Sequence, residues 1–259
     1  MSCREPLLAK ISGGLFMNRV VRKALVFIAL APLVAFAPSR VEAGAVLLPA
    51  GTPNQSLVIT AAADNGAADP GSFLAQATSV FNIPSGTSGN IVGWLTSAVY
   101  QNAQGFVDFY YQITNSTAGT NPDLSISGLT GFNFGGSSTS VGYYSDASVF
   151  GGLFASPTAG VVPQSADRTA DGNMVTLWFG PPWGNKVFPG QVSSILQIAT
   201  NATNWGSGFA TVQNHGVATV NSFQVSPVPE PEIYAMMGIG LGLLGWVRRR
   251  KKLKEAAAA

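Results

Sequence analysis

Cysteine is nearly missing from this sequence: Cys3 is the one thiol, and it stands ahead of everything that reads as a folded domain. From Gly44 onward, disulfides, metal–thiolate centres and cysteine catalysis are therefore excluded. Histidine is as scarce. His215 stands alone in Asn214-His215-Gly216, a turn signal with no ligand partner at metal-binding spacing. Charge is scarce too, and unevenly placed. The chain carries 14 Lys and Arg against 12 Asp and Glu, yet only Arg168 and Lys186 fall in residues 44–226, with seven aspartates and no glutamate. That segment is formally −5. Nothing electrostatic draws it to nucleic acid, so no nucleic-acid partner is expected. Long apolar runs are missing as well: the two that stand out span 14 residues (Ala24–Ala37) and 15 residues (Ile233–Val247).

What is present begins at the two ends. Met17 to Lys23 is a basic stretch, Ala24–Ala37 is apolar, and Val41-Glu42-Ala43 offers small residues where a signal peptidase reads. Residues 1–43 are thus expected to be a signal peptide, with cleavage between Ala43 and Gly44 and Met17 as the expected true start. At the other end, residues 226–232 form a proline-rich spacer containing Val228-Pro229-Glu230-Pro231, which cannot be helical as a whole. Residues 233–247 follow as an expected transmembrane helix, with Ile233 and Tyr234 at its start and Trp246 and Val247 at its end. The amphipathic rings suit the membrane–water interface. At about 1.5 Å per residue this run reaches only ~22 Å against a ~30 Å hydrocarbon core, so it suits a transient anchor that snorkelling arginines help to seat. Gly238 and Gly242 are spaced for close helix packing. Arg248, Arg249, Arg250, Lys251 and Lys252 stop transfer and leave residues 248–259 cytoplasmic.

A Val-Pro-Glu-Pro spacer, a short Gly/Leu-rich helix and an Arg/Lys cluster in that order resemble the PEP-CTERM sorting signal. The resemblance covers about a tenth of the chain, and the polar extension Leu253 to Ala259 after the basic cluster is a small departure. It implies export across the inner membrane of an exopolysaccharide-making Gram-negative bacterium. It also implies processing near Val228 to Pro231 by an exosortase, a membrane-embedded transpeptidase-like enzyme. The same tail is also called the C-terminal region of ice-binding proteins, a label that says little about the domain ahead of it. Ser97-Ala98-Val99-Tyr100, Val107 to Gln112 and Ala166-Asp167-Arg168 loosely resemble β-rich domains that precede such tails, without naming an activity.

Residues 44–225 read as a single antiparallel β-sandwich or jelly-roll-like domain. Ile91 to Tyr100 and Phe106 to Ile113 alternate and flank the turn Asn102-Ala103-Gln104-Gly105, which makes a hairpin. Further strands are expected at 57–61, 72–81, 124–129, 140–144, 173–179, 192–200, 209–213 and 217–225. No apolar stripe of period 3.6 is long enough for a helix, and no internal repeat is visible.

Chemistry is sparse in this domain. No Gly-x-Ser-x-Gly elbow presents a serine to His215. A glycosidase pair would have to come from aspartates, of which Asp167 and Asp171, flanking Arg168 in an expected loop, are nearest to a constellation, with Asp123 a third member. The favoured account of Asp167, Arg168 and Asp171 is an Asp–Arg ion pair beside an Asp171-Gly172 turn. Asp64-Asn65-Gly66 with Asp69 offers oxygen ligands that calcium could accept, though outside EF-hand spacing. Trp94, Trp178, Trp183, Trp205 and Tyr143-Tyr144 could form a sugar-stacking surface or simply core. Asn54, Asn115 and Asn201 head glycosylation-type triplets that chance explains. Neither a catalytic residue nor a cofactor or metal is expected. The expectation is a non-enzymatic structural protein of the cell surface or extracellular, biofilm-type matrix, touching polysaccharide there. Its transient partners are signal peptidase, exosortase and the inner membrane. The alternatives are a secreted carbohydrate- or calcium-binding module and, behind it, a polysaccharide-acting enzyme; ice binding lacks a regular threonine ladder in the sequence.

Overall fold

The computed structural model describes residues 44–53, 57–180, 185–226 and 237–243. Among these residues, twelve strands form in chain order. They are β1 (Val46–Leu47), β2 (Leu57–Val58), β3 (Ser72–Pro84), β4 (Asn90–Gln101), β5 (Val107–Asn115), β6 (Gly128–Gly131), β7 (Thr139–Tyr144), β8 (Ser165–Arg168), β9 (Val175–Trp178), β10 (Ile195–Thr200), β11 (Trp205–Gln213) and β12 (Val217–Val225). One sheet has the order β1-β7-β10-β5-β4-β3 and the other β12-β11-β6-β9-β8-β2, with antiparallel pairing between all neighbouring strands. The expected β class and antiparallel sheets are thus found, as two six-stranded layers.

The β4–β5 hairpin forms where alternation placed it. Asn102 closes its turn: its amide donates to the Phe106 carbonyl at 2.9 Å, and its side-chain oxygen accepts the Gln104 and Phe106 amides. Its side-chain nitrogen donates to buried Asp108 at 3.1 Å, whose other oxygen accepts the Thr200 amide of β10. The turn therefore also fixes the next strand pair.

Between the sheets lies one large apolar cluster. Leu95, Val99, Phe109, Tyr111 and Ile113 of the hairpin meet Leu129, Val175, Leu177, Ala210 and Val212 from the facing sheet. Phe109 stacks edge-on against Phe134 at 5.4 Å, and the buried Tyr111 hydroxyl donates to the Phe223 carbonyl. At one margin the edge strands β3 and β12 meet, where the Ser79 hydroxyl donates to the Asn221 carbonyl at 2.9 Å.

Alternation also leads residues to the outer faces, and there the first sheet gains a covering. Ala98 and Tyr100 of β4, Tyr110 of β5, Tyr144 of β7 and Ile195 of β10 form a second buried cluster with Phe150 and Phe154. These two phenylalanines belong to the long connection 145–164 between β7 and β8, which lies over that face as a roof. Tyr100, Tyr110, Tyr144 and Phe154 each meet the Phe150 ring edge-on at 5.0–5.6 Å. Gln112 pins the roof: its amide nitrogen donates to the Ala155 carbonyl at 2.7 Å and its oxygen accepts the Ala155 amide at 2.8 Å. The segment 61–68 completes the cover, joined to the roof where Asp64 accepts the Ser145 hydroxyl at 2.6 Å.

Several strand limits differ from expectation for local reasons. The strand expected at 57–61 ends at Val58, and Ala61–Ala63 turns as a short 3-10 element. Pro122–Leu124 does the same ahead of β6, with Asn121 capping the Asp123 amide. β1 and β8 were not expected; at two and four residues they are too short for alternation to register.

Candidate functional site

Arg168 belongs to β8, so the loop expected around it is corrected to a strand followed by a turn. The side chain is buried, and its guanidinium donates to four main-chain carbonyls: Gly172, Leu48, Phe134 and Ser137, at 2.8–3.2 Å. This replaces the expected ion pair, because the carbonyls occupy the planar donor fork. Burial lowers the Arg168 pKa from its ordinary value, and the nearby Asp171 charge raises it in part. The arginine thus ties the end of β1, the 134–137 loop and its own turn together.

The aspartates around it serve local structure. Asp171 is exposed and accepts from the Thr169 hydroxyl and from the Asn173 amide and side chain, which hold its carboxyl below the usual range. Asp167 points outward from β8 and accepts the Trp178 indole N–H. Asp123 is exposed on the turn before β6. Among the described residues, no three His, Cys, Asp or Glu side chains gather where they could hold a metal ion. The Asp64 carboxylate accepts the Gly66 amide, the Ser145 amide and the Ser145 hydroxyl, which commits both its oxygens to the roof. Asp69 accepts the Gly71 amide in a turn of its own.

His215 is exposed in the β11–β12 turn, where the Asn214 amide donates to the Gly216 carbonyl. The aromatic residues divide. Tyr143 lies in the inter-sheet core and Tyr144 under the roof, so neither joins a surface row. Trp205 packs edge-on against Phe223 at 5.4 Å. Trp94 remains 40% exposed on the unroofed part of the first sheet, beside Val80, which is 80% exposed. Trp178 is half-buried on the outer face of the second sheet, while Trp183 and Asn54 lie outside the described residues. Asn115 is fully buried and donates to the Leu124 and Val187 carbonyls, so its amide is not a surface acceptor for glycans. The Asn201 oxygen accepts the Ser138 amide.

A threonine row that the sequence hides appears across the second sheet. Thr176, Thr130, Thr211 and Thr219 are successive register partners on β9, β6, β11 and β12. Thr211 and Thr219 face each other across one hairpin, but Thr130 and Thr176 are far from both in sequence, so only the pairing assembles the row. The hydroxyls bond to one another in pairs, Thr130 to Thr176 at 3.0 Å and Thr211 to Thr219 at 3.1 Å. Thr130, Thr176 and Thr211 are buried, so the row does not offer the exposed hydroxyl array that ice binding would need.

At the ends, Gly44 is the first described residue, with φ +91°. A Cβ there would stand 2.7 Å from Asn65 Oδ1, so the fold itself calls for glycine at the expected mature start. Ala43 and the signal peptide lie outside the described residues. So do Val228 to Pro231, Ile233, Tyr234, Trp246, Val247 and the basic cluster. Residues 237–243 are helical, with Gly238 and Gly242 exposed and open space where their Cβ atoms would be. No helix among the described residues is long and apolar enough to cross a membrane.

Fold and termini define a class: an acidic antiparallel β-sandwich followed immediately by a compositionally distinct tail. The family model for the PEP-CTERM protein-sorting motif matches residues 227–251, beginning two residues after β12 ends at Val225. The motif suggests an exported protein whose tail is a membrane-associated sorting signal handled by exosortase. The comparisons with curated proteins and with solved structures find no match.

Proposed function

We propose that this chain is a non-enzymatic structural or adhesive protein of the cell surface or the extracellular polysaccharide matrix. Exosortase-dependent processing of its tail would deliver it there. The observation that carries the reading is the sorting-motif match at 227–251 directly behind a folded domain. In support, the aspartates available for acid–base chemistry are engaged in turns, in the roof or with Trp178. Mass spectrometry of the protein from its own host, with and without the exosortase homologue, tests the proposal. The mature form is expected to start at Gly44 and to lack Arg250, and loss of the exosortase should restore the basic tail. Retention of both Met1 and Arg250 in the wild-type host would overturn it.

A further inference from the structure

We propose that the outer face of the second sheet is a binding platform for a neutral polysaccharide chain, centred on Trp178. The proposal rests on the matrix reading above only for the choice of ligand. Its geometry begins with Gly128, the register partner of Trp178 on β6. A Cβ at Gly128 would stand 2.9 Å from Cε3 of the Trp178 ring. On the other side, the indole N–H reaches back to Asp167 of β8. One edge of the indole therefore rests over β6 while its nitrogen is tied to β8. The ring lies down across its own strand instead of standing off the sheet. Only a residue without a Cβ leaves room for that posture, and the bond to Asp167 fixes it.

Polar groups surround the ring. Gln213, the partner of Gly128 on β11, donates to the Thr130 hydroxyl at 3.3 Å, and its amide nitrogen lies 3.1 Å from where the Gly128 Cβ would be. Asp167 and the paired threonines form the adjoining row. A flat aromatic face beside the Gln213 amide and the Asp167 carboxylate matches a pyranose, whose ring C–H bonds form an apolar face with hydroxyls around its rim, while the buried threonines only support the ring from below. Such a surface needs no deep cavity, because a polymer meets it with several units. The domain's formal −5 charge disfavours polyanions, which sets neutral glycans apart from uronic-acid polymers and nucleic acid.

Affinity electrophoresis of the full-length chain, purified in detergent, tests this with hydroxyethylcellulose, the host's own extracellular polysaccharide and alginate as gel additives. Retardation that Trp178→Ala relieves is expected with at least one of the first two, whereas any retardation by alginate comes from the basic terminal segments and should not respond to Trp178→Ala. Trp178→Ala should weaken it about tenfold or more, as removal of a central aromatic anchor does. Asp167→Asn and Gln213→Ala should weaken it less, and Trp94→Ala on the opposite sheet should leave it unchanged. Trp178→Phe keeps a ring but loses the N–H, and should fall between wild type and alanine; it serves if the alanine variant does not fold. Three results would overturn the platform: no retardation by either of the first two additives, an equal loss of alginate retardation in Trp178→Ala, or equal effects of Trp94→Ala and Trp178→Ala. Tail processing in the host is a separate readout that Trp178→Ala should not change, so failure of binding and failure of sorting are told apart.

Discussion

The two sheets share one core but differ on their outer faces. On the first, the outward positions of β4, β5, β7 and β10 carry Ala98, Tyr100, Tyr110, Tyr144 and Ile195, and a 20-residue connection covers them. On the second, the outward positions carry Thr130, Thr176, Thr211, Gln213 and a reclining Trp178, and the row is satisfied within itself. The lesson is that outward residues decide whether a sandwich stays two layers thick. Large aromatics in water call for a third layer, whereas hydroxyl pairs do not. The unroofed corner at Val80 and Trp94 marks where the covering ends.

The sharpest way to break the contrast is Phe150→Ala. Removing the ring that four aromatics share should cost about 3 kcal/mol in urea denaturation. Hydrogen exchange should quicken at the Ala155 and Ser194 amides, which the roof holds, while amides between β6 and β9 stay protected. Uniform loss of protection would show instead that roof and sandwich unfold as one unit.

A second test uses pH. Burial raises the phenol pKa of Tyr100, on the roofed face, and of Tyr111 and Tyr143 in the core, with the Asp64 charge adding to Tyr143. Groups raised above their unfolded value of 10.0 contribute fully below that pH. Above it the unfolded chain ionises first, so stability falls as pH climbs toward the folded values. Tyr111→Phe should flatten this alkaline decline most, and Tyr100→Phe less; equal curves for wild type and Tyr111→Phe would contradict the assignment. On the acid side, the exposed carboxyl of Asp146, which accepts the Ser148 amide at the start of the roof, and that of Asp171 are held below 3.8 by the hydrogen bonds they accept. Their contribution is present above that value and is lost as pH falls through their lower folded values.

The smallest effect belongs to the open face. Thr130→Val keeps the branched shape but leaves Thr176 and Gln213 without a shared hydroxyl, and about 1 kcal/mol or less should be lost in thermal unfolding. A cost equal to that of Phe150→Ala would mean that the threonine row supports the sheet as strongly as the roof does.

How much of this was legible follows from range of order. The β4–β5 hairpin and β12 show alternation over nine or more residues with polar turns beside them, and both form where expected. The roof was not legible. Phe150 and Phe154 sit among glycines and serines without period, and what they cover is set by strands nearly 50 residues away on either side. The threonine row and the posture of Trp178 depend on register between strands up to 90 residues apart, which no local pattern carries. Arg168 misled because an arginine between two aspartates suggests a charge pair, whereas burial placed it among carbonyls. The sorting tail was the opposite case, legible from its order of residue classes alone.

That arginine has a consequence for how the fold meets acid and salt. A domain stapled by carboxylate–guanidinium pairs weakens in acid as its anions take up protons, and its surface pairs weaken in brine. The four carbonyls around Arg168 do not titrate anywhere in the range an organism meets, and the bonds are sheltered from dissolved ions. With no disulfide to depend on an oxidant, the fold ties its buried guanidinium to neutral partners that neither acid nor salt removes.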